Sequence, residues 1–308
     1  MDRLVSVVIP THNRVDLLPR AVKSAMCQTY TNVEINVVSD GSTDDTDRVM
    51  KELCAADSRV HYYSYHPGKG GNHARNVGIE KSLGEFVAFL DDDDEWHADK
   101  IVEQLKVFDS DSRIGLVCTG INSVHPQEGY SVPFIPNPQF DSEIDILLGN
   151  SIGSTTTVMV KKELFDLAGV FDENLGALQD YDLWVRLCQV TKVGVVSRPC
   201  VEYYNYDNSN QISGHTEKYE NAVKYLDEKY SALIDKLNRV EKKQRNAHFN
   251  LVLAKKAMRN GSPQKAREYI KRAAQHRLTK HVMVCYAASF FSRDFTNKVS
   301  GFVRRLKY

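Results

Sequence analysis

Residues 85–94 read Glu85-Phe86-Val87-Ala88-Phe89-Leu90-Asp91-Asp92-Asp93-Asp94, an apolar run that ends in four consecutive carboxylates. Such a run suits a strand buried on both faces, as in a parallel sheet covered by helices. Working outward, residues 70–82 read as a helix leading into this strand. Val5-Ser6-Val7-Val8-Ile9, closed by Pro10, is a similar strand, and residues 33–38 and 60–65 are two more. Between them, residues 16–28 carry Leu17, Ala21, Val22 and Ala25 at helical spacing. Asp44-Asp45-Thr46 opens a further helix, its acids placed to suit the N-terminus. Strands alternating with helices predict an α/β fold with a mostly parallel sheet flanked by helices. In such sheets ligands bind beyond the carboxyl ends of the strands. The polar stretches 10–14, 39–43 and 91–94 all follow strands, so they are expected to meet in one crevice.

The rest of the chain is less regular. Pro126, Pro133, Pro136 and Pro138 mark a loop expected either to be mobile or to frame an acceptor, and residues 155–160 are a strand candidate. From residue 216 the pattern turns helical: 219–240, 247–258, and 264–276 after a Gly261-Ser262-Pro263 break. The division expected is a catalytic region, 1–215, and a basic helical appendage, 216–308. The 40 basic and 40 acidic residues cancel, yet residues 216–308 hold 22 Lys/Arg against 8 Asp/Glu. That imbalance favours an anionic partner. For the terminal aromatic and basic stretch around Phe302-Val303-Arg304-Arg305, an anionic bilayer surface and a soluble lid or dimer surface are both open. Six scattered cysteines without a CxxC pair point to a reducing compartment, with no disulfide framework and no zinc site. The N-terminal residues enter a strand too early for a signal peptide, and the apolar run 281–291 is too short to span a bilayer. A cytoplasmic protein follows, with peripheral attachment at the inner membrane face as the bilayer reading of the tail. No nucleic-acid partner is expected.

Four carboxylates at the end of a buried strand are costly unless positive charge shares the site. A hard divalent cation, Mn²⁺ or Mg²⁺, with substrate phosphates in its shell is the natural occupant. An extended backbone would point Asp91 and Asp93 one way and Asp92 the other; the plain alternative is a solvated acidic turn. Asp40, at a strand end, is placed to accept from a base N–H or a ribose hydroxyl, or to cap a turn. Arg75 either neutralises a diphosphate or makes a surface salt bridge. His12 either stacks on a base or is structural. In Leu178-Gln179-Asp180-Tyr181-Asp182-Leu183-Trp184, one aspartate is placed to act as a general base and one to cap the helix.

Taken in order, residues 5–14 (VSVVIPTHNR), 37–44 (VVSDGSTD), 74–96 (ARNVGIEKSLGEFVAFLDDDDEW) and 169–186 (GVFDENLGALQDYDLWVR) resemble the inverting family 2 glycosyltransferases of the GT-A fold, over roughly residues 4–215. The resemblance implies a Rossmann-like nucleotide-sugar-binding fold. Pro10, Thr11 and His12 would line the nucleobase pocket, with Asn13 and Arg14 in the same donor loop. Asp40, with Gly41 and Ser42, would bind the base; Arg75 would lie near the donor and Asp92 near the ribose. Asp93 would be the metal ligand of the DxD motif, Asp91 its first acid and Asp180 the catalytic base. Gln179 and Trp184 would flank the acceptor. Two positions depart from the family pattern: Ser39 replaces an aspartate, and Gln179 replaces the glutamate of the Glu-Asp pair. The Gln-x-x-Arg-Trp signature of processive synthases is absent. The activity implied is non-processive, metal-dependent transfer from a nucleotide-diphospho-sugar, here a UDP-sugar, to a hydroxyl of a glycan or lipid-linked acceptor. A nucleotidyltransferase and a non-catalytic nucleotide-sugar-binding scaffold are the rival readings.

Overall fold

A computed structural model describes residues 3–137, 142–205 and 216–290. The tail motif at 302–305, Pro138 and the boundary at 215 lie outside these residues. The N-terminal elements form as the apolar pattern requires: β1 (Val5–Thr11), α1 (Leu18–Met26), β2 (Val33–Asp40), α2 (Thr46–Ala56), β3 (Val60–Tyr65), α3 (Gly71–Lys81) and β4 (Phe86–Phe89). Then follow β5 (Glu95–Trp96), α4 (Lys100–Ser110), β6 (Ile114–His125), β7 (Tyr130–Phe134), α5 (Ser142–Leu148), a short 3₁₀ turn (Thr155–Thr157), β8 (Met159–Lys161), α6 (Leu164–Ala168), α7 (Gln179–Cys188) and β9 (Lys192–Tyr204). The expected strand at 155–160 is therefore 3₁₀ first and strand only from Met159.

Sheet order is β3-β2-β1-β4-β8-β6-β9-β5, with β7 on the edge of β6. The four strands read from the apolar runs pair in parallel. Beyond β4 the sheet becomes mixed, because β8 runs antiparallel to both β4 and β6. Side chains alternate across the sheet with a period of two. Val5, Val7 and Ile9 face one core with Phe86, Ala88 and Leu90; Val8, Val87 and Phe89 face the other. Both faces are covered, which is why these strands read as unbroken apolar runs.

The C-terminal helices are α8 (Thr216–Lys229), α9 (Ser231–Lys236), α10 (Arg239–Arg259), α11 (Pro263–His276) and α12 (Lys280–Ala288). The helix expected over 219–240 is thus broken at Tyr230, and α10 begins eight residues before the expected 247. Asn238 starts it with a capping box: Asn238 Oδ1 accepts from the Glu241 amide at 3.0 Å, and Glu241 Oε2 accepts from the Asn238 amide at 2.8 Å. Tyr219, Ala222, Leu226, Ala247, Phe249, Leu253 and Ile270 join the same buried cluster as Val8, Phe89 and Trp184. The C-terminal helices thus share a buried cluster with β1, β4 and α7. No helix among the described residues is long and apolar enough to cross a membrane.

α3 lies against β1 at Gly78, where an added Cβ would come within 2.2 Å of Val8 Cγ1. Val8 is fully buried and has no room to yield. Gly78→Ala is expected to cost about 1–3 kcal/mol through overpacking, read as a lower midpoint in chemical denaturation.

Candidate active site

The segment after β4 is a tight turn, with the Asp94 amide bonded to the Asp91 carbonyl at 3.1 Å. This corrects the alternating orientation expected of an extended chain. Asp92 and Asp93 share one partner, Arg14, whose Nη1 donates to Asp92 Oδ1 at 3.0 Å and Asp93 Oδ2 at 2.5 Å. Thr11, at the end of β1, adds a 2.7 Å hydrogen bond to Asp92 Oδ2. The neighbouring strands β1 and β4 bring the 10–14 stretch and the aspartates together, as the crevice argument requires. Asp91 turns toward Arg75 Nη2 at 2.7 Å and Thr155 Oγ1 at 2.9 Å.

These arginines leave the site short of positive charge. Burial pushes Asp92 up to about 7 against the pull of Arg14, and Asp93 and Asp91 add repulsion. Burial likewise raises Asp93, again opposed by Arg14. Buried Asp94 is raised most, by burial and then by Asp93 and Asp91. Among the described residues no group of three or more His, Cys, Asp or Glu side chains forms a closed metal cage. That donor set suits the magnesium-like mode, in which one or two carboxylates hold the ion and substrate phosphates and water complete its shell. Asp93 fits such a ligand.

Arg75 is 8% exposed, and among the described residues its Nε and Nη1 have no hydrogen-bond partner. A buried guanidinium with unused donors is expensive, and a bidentate oxyanion is the ligand it matches. It is no surface salt bridge. The 39–43 turn is held by the 10–14 loop: the Asn13 amide donates to Ser42 Oγ at 3.0 Å, and the Thr43 amide to Asn13 Oδ1 at 2.7 Å. Gly41 has φ +68°, and a Cβ there would stand 2.6 Å from the Gly68 nitrogen, so only glycine fits. Asp40 accepts from Tyr65 Oη at 2.9 Å, the Lys69 amide at 2.6 Å and the Gly70 amide at 2.8 Å. A carboxylate offers about four acceptor sites, so one is left for a ligand. His12 is exposed, its Nδ1 2.6 Å from the Asp40 carbonyl oxygen, and Pro10 is buried at the end of β1.

α7 begins after Leu178, whose φ of 58° is left-handed, and neither aspartate side chain caps it. Asp180 is half-buried and accepts from its neighbour's amide, Tyr181 N, at 2.8 Å. Burial raises its pKa, the Tyr181 amide and Arg75 oppose, and Asp91 raises it further. Asp182 is fully buried and structural, bonded to Arg186, Lys229 and Tyr230. Gln179 stays half-buried at the helix start. Trp184 is wholly enclosed, and its indole N–H donates to the Gly153 carbonyl at 3.0 Å. Direct acceptor contact is therefore corrected to support of the loop that carries Thr155.

Sequence reasoning passed over Thr155, Arg20, Tyr203 and Tyr204. β5 pairs antiparallel with β9, Glu95 opposite Glu202, so the next β9 residues run alongside the aspartate turn. The Tyr204 amide donates to Asp94 Oδ1 at 3.1 Å, and the Arg20 guanidinium stacks 3.9 Å from the Tyr204 ring. Arg20 also donates to the Asp93 carbonyl. Half-buried Tyr203 has its hydroxyl pKa raised first by burial, then by Asp94, Asp91, Asp93 and Asp180. A groove of about 840 Å³ lies elsewhere, between α3 and α6, with His73, Glu80, Lys162 and Asp166 among its walls.

Residues 6–166 match the model of glycosyl transferase family 2. An uncharacterized glycosyltransferase of Rickettsia typhi is 32% identical over 225 residues, 70% of this chain and 69% of its own length. Some relatives are longer: the match spans 35% of the Rickettsia conorii glycosyltransferase. Among solved structures, Staphylococcus aureus TarS with UDP-GlcNAc superposes with TM-score 0.58 at 16% identity, covering 92% of this chain and 90% of that one. Mannosyltransferase PcManGT from Pyrobaculum calidifontis, with GDP-Man and Mn²⁺, gives 0.57 at 18% identity over 92% and 78%. The architecture is that of the GT-A glycosyltransferases. With the family model matched over more than half of its length, the chain belongs to glycosyl transferase family 2.

Proposed function

We propose that this glycosyltransferase moves one sugar from a UDP-sugar to a hydroxyl of a glycan or lipid-linked acceptor, with inversion at the anomeric carbon and Asp180 as base. The observation that carries the reading is the strand-end cluster in which Arg14 bridges Asp92 and Asp93 and Arg75, with donors unused among the described residues, pairs with Asp91. The ligands of TarS (UDP-GlcNAc) and PcManGT (GDP-Man with Mn²⁺) support a nucleotide-sugar donor.

The chemistry follows from charge. Asp180 accepts the proton of the acceptor hydroxyl as that oxygen bonds to the anomeric carbon. The bond to the diphosphate oxygen breaks on the opposite face, and its electron pair leaves with the UDP. Arg75 meets that growing negative charge from a buried position, where a fixed donor is worth more than in water. Asp93 is the residue that would hold Mn²⁺ or Mg²⁺, which when bound supplies charge neutralisation at the diphosphate. Thr11, Asn13, Asp40 and Ser42 shape the nucleoside side.

Asp93→Ala tests the donor half. In titration calorimetry the parent chain is expected to bind UDP more tightly with Mn²⁺ than without, and the variant to lose that difference. Mn²⁺-dependent UDP binding at parental strength in the variant would remove Asp93 from the metal role.

A further inference from the structure

α10 packs against the start of α7, where the ring of Phe249 stands 5.4 Å from that of Tyr181, the residue next to Asp180. Lys256, on α10, is half-buried and lays its Nζ 4.4 Å from the ring centroid of buried Tyr219 on α8. Among the described residues its Nζ makes no hydrogen bond or ion pair, and its ring contact is with Tyr219. The pair is held in place because α8 and α10 are tied where one begins and the other ends: Asn260 Nδ2 donates to Thr216 Oγ1 at 2.7 Å. Arg259 stands one turn further along the same face of α10. Burial and then Arg259 pull Lys256 down to about 8, while Asp180 pulls it back up. Tyr219 responds to the same two groups, raised first by burial and then by Asp180, and lowered by Arg259.

Resting on the proposed transfer, we infer that Lys256, backed by Tyr219, is an oxyanion subsite for the acceptor, taking a phosphate or carboxylate carried close to the attacking hydroxyl. A half-buried ammonium without a counter-ion carries an unrecovered desolvation cost. An acceptor anion recovers it, and a short charge-assisted contact also sets the distance between the acceptor and Asp180. Asp180 cannot be that counter-ion at full strength, because it has no contact with Lys256 within ion-pair distance. The preference would then be for anionic acceptors over neutral ones, decided by the helical part of the chain and not by the nucleotide-binding motifs.

The test uses the full chain with Mn²⁺ and saturating UDP, so that the donor side is filled. Geranyl diphosphate and methyl β-glucuronide are titrated separately by calorimetry into the parent chain, Lys256→Met and Lys256→Arg. At least one anion is expected to bind the parent chain. Lys256→Met should weaken it by about tenfold to a hundredfold, the worth of one charged hydrogen bond, and Lys256→Arg should recover most of the loss. Binding of the diphosphate alone assigns a phosphate acceptor, and of the glucuronide alone a carboxylate one. UDP titration of each variant comes first and reports an intact donor side; Lys256→Gln replaces the methionine variant if that fails to fold. Normal UDP binding with no anion binding, or with equal anion binding by Lys256→Met, overturns the subsite while the transfer reading stands. No UDP binding by the parent chain overturns both.

Discussion

Asp180→Asn is expected to lower sugar transfer by roughly 10²–10⁴-fold, the usual worth of a positioned base, while UDP affinity stays as in the parent chain. The substitution keeps the shape of the side chain and its hydrogen bond from the Tyr181 amide, and removes only proton-accepting power. Transfer is read as UDP release with acceptor present, and affinity by calorimetry. Near-normal turnover would end the assignment. The pH profile gives a second reading. Burial, with Asp91 adding and Arg75 opposing, holds the Asp180 carboxyl above its ordinary range. Because the ionised form is the active one, the rate should fall as pH drops through that raised value, so the acid limb lies above the ~3.9 of a free aspartate. The residual activity of Asp180→Asn should lack this limb. Stability should move the other way. A carboxyl that binds its proton more tightly when folded loses stability as pH rises from its unfolded to its folded pKa. Above that raised value the penalty is fully present, and the asparagine does not carry it. The inactive variant is therefore expected to melt no lower than the parent chain.

The first ninety residues were legible because both faces of their strands are covered. Val5 to Ile9 and Phe86 to Leu90 need apolar residues on each side, and the helices between them bury a single stripe. The later strands obey other rules. β9 runs through Pro199 and β6 through Gly115 and Gly120, with register shifts on either side of Gly120. Such residues argue against a strand when read alone, and only pairing across the sheet overrides them. β7 tolerates Pro133 because it is an edge strand with one partner. The 238–241 capping box was present in the sequence as Asn-x-x-Glu and marks the start of α10 better than the apolar spacing did. In the site, Asp91, Asp92, Asp93, Arg75 and Asp180 could be named because acidic and basic side chains near strand ends have few inexpensive uses. Tyr203, Tyr204 and Lys256 could not. They reach the site through the β5–β9 pairing and the α8–α10 packing, contacts between residues more than a hundred positions apart, or on helices with no motif of their own.

Asp182→Ala is expected to cost about 3–5 kcal/mol, the usual penalty for removing one partner of a buried ion pair, although it lies two residues from a side chain whose loss should cost no stability. The contrast comes from partners. Asp182 is fully buried and gathers Arg186 Nη2 at 2.8 Å, Lys229 Nζ at 2.7 Å and Tyr230 Oη at 2.7 Å. Lys229 ends α8 and Tyr230 follows it, so the carboxylate ties α7 to the C-terminal region. Lys229 also holds Asp172 at 2.8 Å in the loop before α7. Without Asp182, two cations and a hydroxyl keep their desolvation cost and lose the charge that offset it. The loss is read by urea denaturation, and a change below about 1 kcal/mol would place it with ordinary surface ion pairs. Asp182→Asn should recover part of the stability, since its amide oxygen can still accept from Tyr230 and Lys229 but supplies no charge. The two aspartates of Gln179-Asp180-Tyr181-Asp182 then separate cleanly. One is the base of the proposed mechanism, and its replacement should lose turnover alone. The other is saturated with bonds, and its replacement should loosen α7 against α8, lowering activity only through the fraction of chain that remains folded.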